Sequence, residues 1–129
     1  YDDTNYFSSC EQYNSISNTW TEFPSLNAAR GVFGASVVQG KIYVAGGIGN
    51  GALSSVEVFG GTSWKFLDSS LANTRIYHTA AHLDGKLVVL GGDRDYIEVY
   101  NPTTRTWSTS AVPQMLDPAS RQWMEAVSF

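Results

Sequence analysis

Cysteine is almost absent from this sequence of 129 residues, in which Cys10 stands alone. A single cysteine excludes an intrachain disulfide framework. An N-glycosylation acceptor is also missing, because the one candidate, Asn101-Pro102-Thr103, has the excluded proline at its centre. Both absences favour a reducing compartment, so we expect a cytoplasmic protein. A signal peptide and an initiating methionine are lacking too, and we expect the sequence to be a piece of a longer chain.

Clusters of basic residues and long apolar runs are also missing. The eight lysine and arginine residues occur singly, and the net charge is −4. This distribution excludes nucleic acid and anionic membranes as expected partners. No apolar run approaches the length of a membrane-spanning helix. A hydrophobic content of 43% nevertheless allows the chain to bury a core.

Catalytic and metal-binding motifs are not recognisable. His78 and His82 have no cysteine or carboxylate at ligand spacing, and apolar residues occupy the equivalent positions elsewhere in the chain. We therefore expect both histidines to be packed and the protein to hold no metal. Since no nucleophile motif is present either, we expect no cofactor and no enzymatic activity.

A repeat takes the place of these motifs, and no helical period accompanies it. The run Lys41–Gly47 is apolar and ends in a double glycine, and Lys86–Gly92 repeats it 45 residues later. Three further features recur at similar spacing: an arginine that opens a strand, a Glu-x-aromatic strand, and a tryptophan after the next turn. The repeated marks are Arg30, Arg75, Arg121; Gly46, Gly47, Gly91, Gly92; Glu11, Glu57, Glu98; Tyr13, Phe59, Tyr100; and Trp20, Trp64, Trp107.

Each repeat holds four short strands, here named a to d in chain order. A period of 40–50 residues with four strands is typical of the blades of a β-propeller. We predict an all-β fold with antiparallel blades: strands c and d of one blade in residues 1–24, full blades in 30–68 and 75–110, and strand a of a further blade in 121–129. These strands are too few to close a ring, so the remaining blades are expected to come from the same or another chain.

The order arginine, double glycine, Glu-x-aromatic, tryptophan resembles the Kelch repeat over nearly the whole sequence. The resemblance implies a propeller that binds proteins or peptides. Kelch proteins include substrate receptors of ubiquitin ligases and actin-associated proteins. The alternative is a Kelch-like propeller that processes or binds sugars, similar to galactose oxidase or to sialic-acid isomerases.

The three arginines have two open interpretations. Arg30, Arg75 and Arg121 each follow a d–a loop and are predicted to ring one mouth of the central channel. In the Kelch domains that the chain resembles, arginines here contact acidic peptides, and guanidinium groups suit carboxylate recognition. Alternatively, each arginine binds the backbone of the framework, since it recurs with the repeat. The glutamates also recur, and they are expected to be structural.

Loops that differ between repeats are the better guide to specificity. We expect ligand contacts from Asn50 in the second b–c loop and from Asp93, Arg94 and Asp95 in the third. The b–c loops and the d–a loops are predicted to share one face of the propeller. The third d–a loop, residues 109–120, is longer than its counterparts.

Overall fold

The computed structural model describes residues 5–111, and within that range the regular secondary structure is β-strand alone. Short runs of β-branched and aromatic residues alternate with turns that contain Gly, Asn or Asp, and this pattern favours strands over helices. The strands are β1 (Cys10–Asn14), β2 (Thr19–Phe23), β3 (Gly34–Val38), β4 (Lys41–Ala45), β5 (Ile48–Gly49), β6 (Gly51–Ala52), β7 (Val56–Phe59), β8 (Trp64–Phe66), β9 (His78–Leu83), β10 (Lys86–Gly91), β11 (Tyr96–Asn101) and β12 (Thr106–Ala111).

Two four-stranded antiparallel sheets form the body of the structure. Blade one has the order β3-β4-β7-β8, and blade two has the order β9-β10-β11-β12. Equivalent residues pair in the same register, since Phe59 lies opposite Trp64 in blade one and Tyr100 lies opposite Trp107 in blade two. The four predicted strands of each full blade are therefore present in their predicted order.

A smaller sheet precedes the two blades. β1 and β2 pair with Tyr13 opposite Trp20, which is the register of strands c and d in the full blades. This sheet is the partial blade expected at residues 1–24, and we call it the two-stranded sheet. The strand predicted at residues 121–129, with Arg121, lies outside the described residues.

The hydrophobic core lies between blades rather than within one sheet. Val38, Tyr43, Ala45 and Val56 of blade one pack with Leu87, Val89 and Tyr100 of blade two. The alternation along β4 explains this, because Tyr43 and Ala45 face blade two while Val44 faces the two-stranded sheet. Strands covered on both faces by neighbouring blades need apolar residues on both faces.

The small residues of strands β3 and β9 allow these strands to approach each other closely. A Cβ placed on Gly34 would lie 2.9 Å from the backbone nitrogen of Ala80. The strands are thus in contact at the inner side of the blades, as the small-residue pattern of strands a predicts. No helix long and apolar enough to cross a membrane is found among the described residues.

Candidate functional site

The loops at one end of the strands are joined into a continuous surface. The backbone N–H of Gly47 donates to the carbonyl of Arg75 at 2.9 Å, and the N–H of Leu71 donates to the carbonyl of Ser54 at 3.0 Å. Gly31 and Ile48 form an isolated antiparallel bridge. The b–c and d–a loops therefore lie on the same side, as predicted. We call this side the loop face; its described segments are 5–9, 25–33, 46–55, 69–77 and 91–95.

Arg30 lies below this surface and not on it. Its side chain is fully buried and pairs with the buried carboxylate of Glu57, with Nη2 and Oε1 2.9 Å apart. Nη1 donates to the carbonyls of Gly46 at 2.8 Å and Ser55 at 3.1 Å. The guanidinium thus binds strand c and the b–c loop of its own blade.

Arg75 repeats this arrangement in blade two. Its Nη2 lies 3.0 Å from Oε2 of Glu98, and both side chains are at most 1% exposed. Nη1 donates to the carbonyl of Gly91 at 2.8 Å, and Nη2 donates to that of Tyr96 at 3.2 Å. Gly46 and Gly91 both lie 16 residues after their arginine, so the double glycine supplies the same acceptor in each blade.

The glutamates complete the framework by accepting hydrogen bonds from the d–a loops. Glu57 accepts from the backbone N–H groups of Asn27 at 2.7 Å and Ala28 at 3.0 Å. Glu98 accepts from the N–H of Ala72 at 2.6 Å. Each carboxylate therefore ties the loop that enters its blade to the arginine of that blade. Burial lowers the pKa of Arg30, and the neighbouring Glu57 carboxylate opposes this effect.

These contacts decide between the two interpretations of the arginines within the described residues. Arg30 and Arg75 have no side-chain surface to offer a ligand, and both are bonded to framework acceptors. The expectation that they bind acidic ligands does not fit this structure, because each guanidinium is buried and its Nη atoms bind a glutamate and backbone carbonyls of the same blade. Sequence alone could not decide this, since a repeated arginine suits either role.

Asn50 is located at the tip of a small hairpin in the second b–c loop. β5 and β6 pair through Ile48 with Ala52 and Gly49 with Gly51, which leaves Asn50 exposed. The sequence predicted a glycine-rich loop here and not a hairpin. The pairing is only two residues long on each side, which is too short for a recognisable alternating pattern.

Asp93, Arg94 and Asp95 form the much shorter third b–c loop. Both aspartates are exposed, while Arg94 is half-buried and lies 3.6 Å from Oδ1 of Asp93. Nη2 of Arg94 donates to the carbonyl of Thr74 at 3.3 Å, which holds this loop against the d–a loop beside it. These residues do lie on the loop face, as predicted.

Asn73 on the loop face and Tyr96 at the start of β11 are two residues that the sequence reasoning did not identify. Asn73 donates from its side-chain amide to the Tyr96 hydroxyl at 2.8 Å. The Tyr96 ring packs over the guanidinium of Arg75 at 5.0 Å. Tyr96 is thus a further contact of the buried Arg75, and its position two residues before the repeated Glu98 was the available signal.

The contacts of His78 were also not identified from the sequence, which predicted only that this residue is packed. It is buried between the blades, with Nε2 2.9 Å from the carbonyl oxygen of Ala45 and 3.2 Å from the backbone nitrogen of Gly34. Burial lowers its pKa to about 4. His82, by contrast, is half-buried and accepts from the N–H of Gly85 at 3.1 Å within the β9–β10 turn.

No group of histidine, cysteine and carboxylate side chains that could hold a metal ion occurs among residues 5–111. Cys10 is a free, half-buried residue at the start of β1.

The sequence matches the Kelch motif over residues 29–59 and 74–111. The chain belongs to the Kelch-repeat family. The first stretch covers strands β3, β4 and β7 of blade one, and the second covers the four strands of blade two. Each contains a complete set of the repeated arginine, double glycine, glutamate and aromatic residue, whose contacts are described above. The Kelch-type fold predicted from these marks is thereby confirmed.

Several relatives share this repeat. An F-box/kelch-repeat protein of Arabidopsis thaliana is 34% identical over 110 residues, which cover 77% of this chain and 29% of the relative. A second Arabidopsis F-box/kelch-repeat protein is 32% identical over 113 residues, or 78% of this chain and 28% of its own length. Kelch-like protein 41a of Danio rerio is 35% identical over 83 residues, covering 62% of this chain and 14% of that protein.

The chain spans less than a third of the length of these relatives. Together, the repeat and the relatives place it in a family of protein-interaction scaffolds.

Proposed function

We propose that this chain is part of a non-catalytic protein-binding module and that the loop face contacts the partner. The observation that supports the proposal is that framework residues and exposed loop residues are different sets. The repeated arginines and glutamates are buried in the framework, whereas Asn50, Asp93 and Asp95 are exposed in loops that differ between repeats. Exposed side chains in such loops are available for recognition.

The charges of this face favour a partner with basic or hydrogen-bonding groups over an acidic one. Its described exposed charges are Asp93 and Asp95, while the half-buried Arg94 already lies against Asp93. An acidic ligand would meet two carboxylates and no free guanidinium. Like charges brought together in an interface are unfavourable.

A peptide phage-display library panned on the immobilised chain tests this proposal. We expect selected peptides to contain Lys or Arg and to lose at least about tenfold in affinity to the variant Asp93→Lys/Asp95→Lys. The matched control is Thr62→Lys/Ser63→Lys, which adds two lysines at the exposed c–d turn of blade one. If both variants bind equally, or if no peptide is selected, the loop face is not the binding surface.

A finer form of the proposal is that the intact protein selects substrates for a ubiquitin ligase. Support comes from the relatives whose names combine an F-box with Kelch repeats. In cells, the 129-residue chain should then compete for the substrate and lengthen its half-life. The Asp93→Lys/Asp95→Lys variant should not. An unchanged half-life for every protein that the loop face binds would rule out this role.

A further inference from the structure

A cavity of about 520 Å³ opens at the end of blade one that is opposite the loop face. The start of β4 and the c–d turn between β7 and β8 border it. Two of the three lysines in the sequence lie at this cavity, and no carboxylate accompanies them in its described lining. The described lining residues are Lys41, Val58, Gly60, Thr62, Ser63 and Lys65.

The strand pairing of blade one directs both lysine side chains to the same face of the sheet. Val58 pairs with Lys65 on one side and with Tyr43 on the other, so these three side chains share a face. Lys41 precedes Tyr43 by two residues on β4 and therefore points to that face as well. Strand spacing places the Cα atoms of the two lysines about 12 Å apart, with the strand of Val58 between them. An ion bound above Val58 is within reach of both ammonium groups.

The two positive charges have no counter-charge among the described residues. The four ion pairs found within residues 5–111 all involve arginine, and Lys41 and Lys65 are exposed. Like charges on one face of a sheet repel each other, and a bound anion relieves this repulsion. Because the net charge of the chain is −4, the attraction for an anion is local to this cavity.

The c–d turn at the cavity differs from its two counterparts. Four residues separate Phe59 from Trp64, whereas six separate the equivalent aromatic residue and tryptophan in the two-stranded sheet and in blade two. In those longer turns, the side-chain oxygen of Asn14 or Asn101 accepts hydrogen bonds from two backbone N–H groups. Gly60 occupies the equivalent position and has no side chain that could cap its turn. The cavity is therefore bordered by a turn that is shorter and lacks the capping oxygen.

Lys65 is also particular to blade one. Thr21 and Ser108 occupy the equivalent position after the tryptophan, whereas Lys41 recurs in blade two as Lys86. The framework of the repeat thus does not require a lysine at this position of strand d. Only blade one combines two lysines with the short turn, and features that differ between repeats are the ones available for a specific ligand.

We propose that this cavity binds a phosphate monoester, with its oxygens between the ammonium groups of Lys41 and Lys65. A phosphate group carries nearly two negative charges at neutral pH and offers three strong acceptor oxygens. The hydroxyls of Thr62 and Ser63 are further donors at the cavity wall. This site lies on the face opposite the loop face, so it is independent of the partner-binding role proposed above.

Titration of the nitrogen-15-labelled chain with inorganic phosphate tests the site. The amide NMR signals of residues 60–65 should shift saturably, and chloride at the same ionic strength should leave them unchanged. Because the lysines are exposed, Lys41→Gln and Lys65→Gln should each weaken binding by about threefold. The matched control is Lys86→Gln, which removes the equivalent of Lys41 in blade two and should bind phosphate as the unchanged chain does.

The tripeptide Ala-phosphoserine-Ala distinguishes the possible sources of the phosphate. Tighter binding of this peptide than of inorganic phosphate indicates a phosphoprotein ligand, and equal affinity indicates a small phosphate compound. The proposal is overturned if the unphosphorylated tripeptide binds equally well or if chloride reproduces the shifts. It is also overturned if a chain shown to be folded by circular dichroism gives no saturable shifts, or if Lys41→Gln/Lys65→Gln binds phosphate as tightly as the unchanged chain.

Discussion

The buried arginine of each full blade is the residue on which its loops depend. Arg75 connects Glu98, Gly91 and Tyr96, and Glu98 in turn accepts from Ala72. Removing one partner of such a buried pair leaves an uncompensated charge in the interior. The arginine is therefore expected to matter for folding rather than for contact with a partner.

Replacing Arg75 by alanine should lower the free energy of unfolding by about 3–5 kcal/mol, because Glu98 would remain buried without its counter-charge. Urea denaturation measures the change. The matched control is Arg105→Ala, which breaks an exposed pair with Asp68 whose side chains are 69% and 86% accessible. We expect that control to cost less than about 1 kcal/mol. Equal effects of the two substitutions would contradict the structural role of Arg75.

Gly46, the first residue of a double glycine, must be glycine for both conformational and steric reasons. Its φ is +61°, and an added Cβ would lie 2.7 Å from the carbonyl oxygen of Arg75. We expect Gly46→Ala to lower the free energy of unfolding by about 1–3 kcal/mol. Gly60→Ala is the control, since nothing lies within 4 Å of its Cβ position. Thermal unfolding of both variants checks this, and a neutral Gly46→Ala would show that the close approach is not needed.

At the scale of elements, the repeat pattern predicted the four strands of each full blade and the order in which they pair. Arg30, Glu57 and the double glycine recur with Arg75, Glu98 and its own double glycine, so their equivalence could be seen in the sequence. Their role could not, because a recurring arginine suits both a ligand ring and a framework. Burial decides between these, and burial depends on how the b–c and d–a loops pack across one another.

His78 belongs to the contact between blades, where its imidazole joins strand a of blade two to strands a and b of blade one. Burial lowers the pKa of His78 most, and Arg75 lowers it further, whereas the hydrogen bond with the Ala45 carbonyl and the charge of Asp93 raise it less strongly. With a pKa of about 4 in the folded chain, His78 binds fewer protons below pH 6.5 than the same residue binds in the unfolded chain. Its contribution to stability is therefore complete above that pH and is lost as the pH falls towards 4.

The loss between pH 6.5 and 4 should reach about 3 kcal/mol, by conversion of the shift in pKa. Urea denaturation across this range should show that the free energy of unfolding of the unchanged chain falls relative to that of His78→Phe as the pH falls. Phenylalanine is chosen because Phe33 occupies the equivalent repeat position. In the control His82→Gln, the free energy of unfolding should still fall between pH 6.5 and 4, since His78 is present. A difference that does not change with pH would contradict the buried, neutral state of His78.

At the scale of the whole molecule, the framework that recurs in each repeat and the loops that differ between repeats are separate. The blades are held by buried pairs and interblade packing, while Asn50, Asp93 and Asp95 are exposed. The sequence predicted the loops that make up this surface, because they differ between repeats. It did not predict the β5–β6 hairpin or the contact of Tyr96 with Arg75, since both depend on tertiary packing.

The central claim is that Arg30 and Arg75 belong to the framework and not to a ligand-binding ring. NMR of the guanidinium groups in the chain labelled with nitrogen-15 arginine tests it most directly, with a hexaglutamate peptide as the acidic probe. We predict slowly exchanging Nη–H signals for both residues, unchanged when the peptide is added in excess. Rapid exchange together with peptide-dependent shifts of these signals would show that the arginines face a ligand and would contradict the claim.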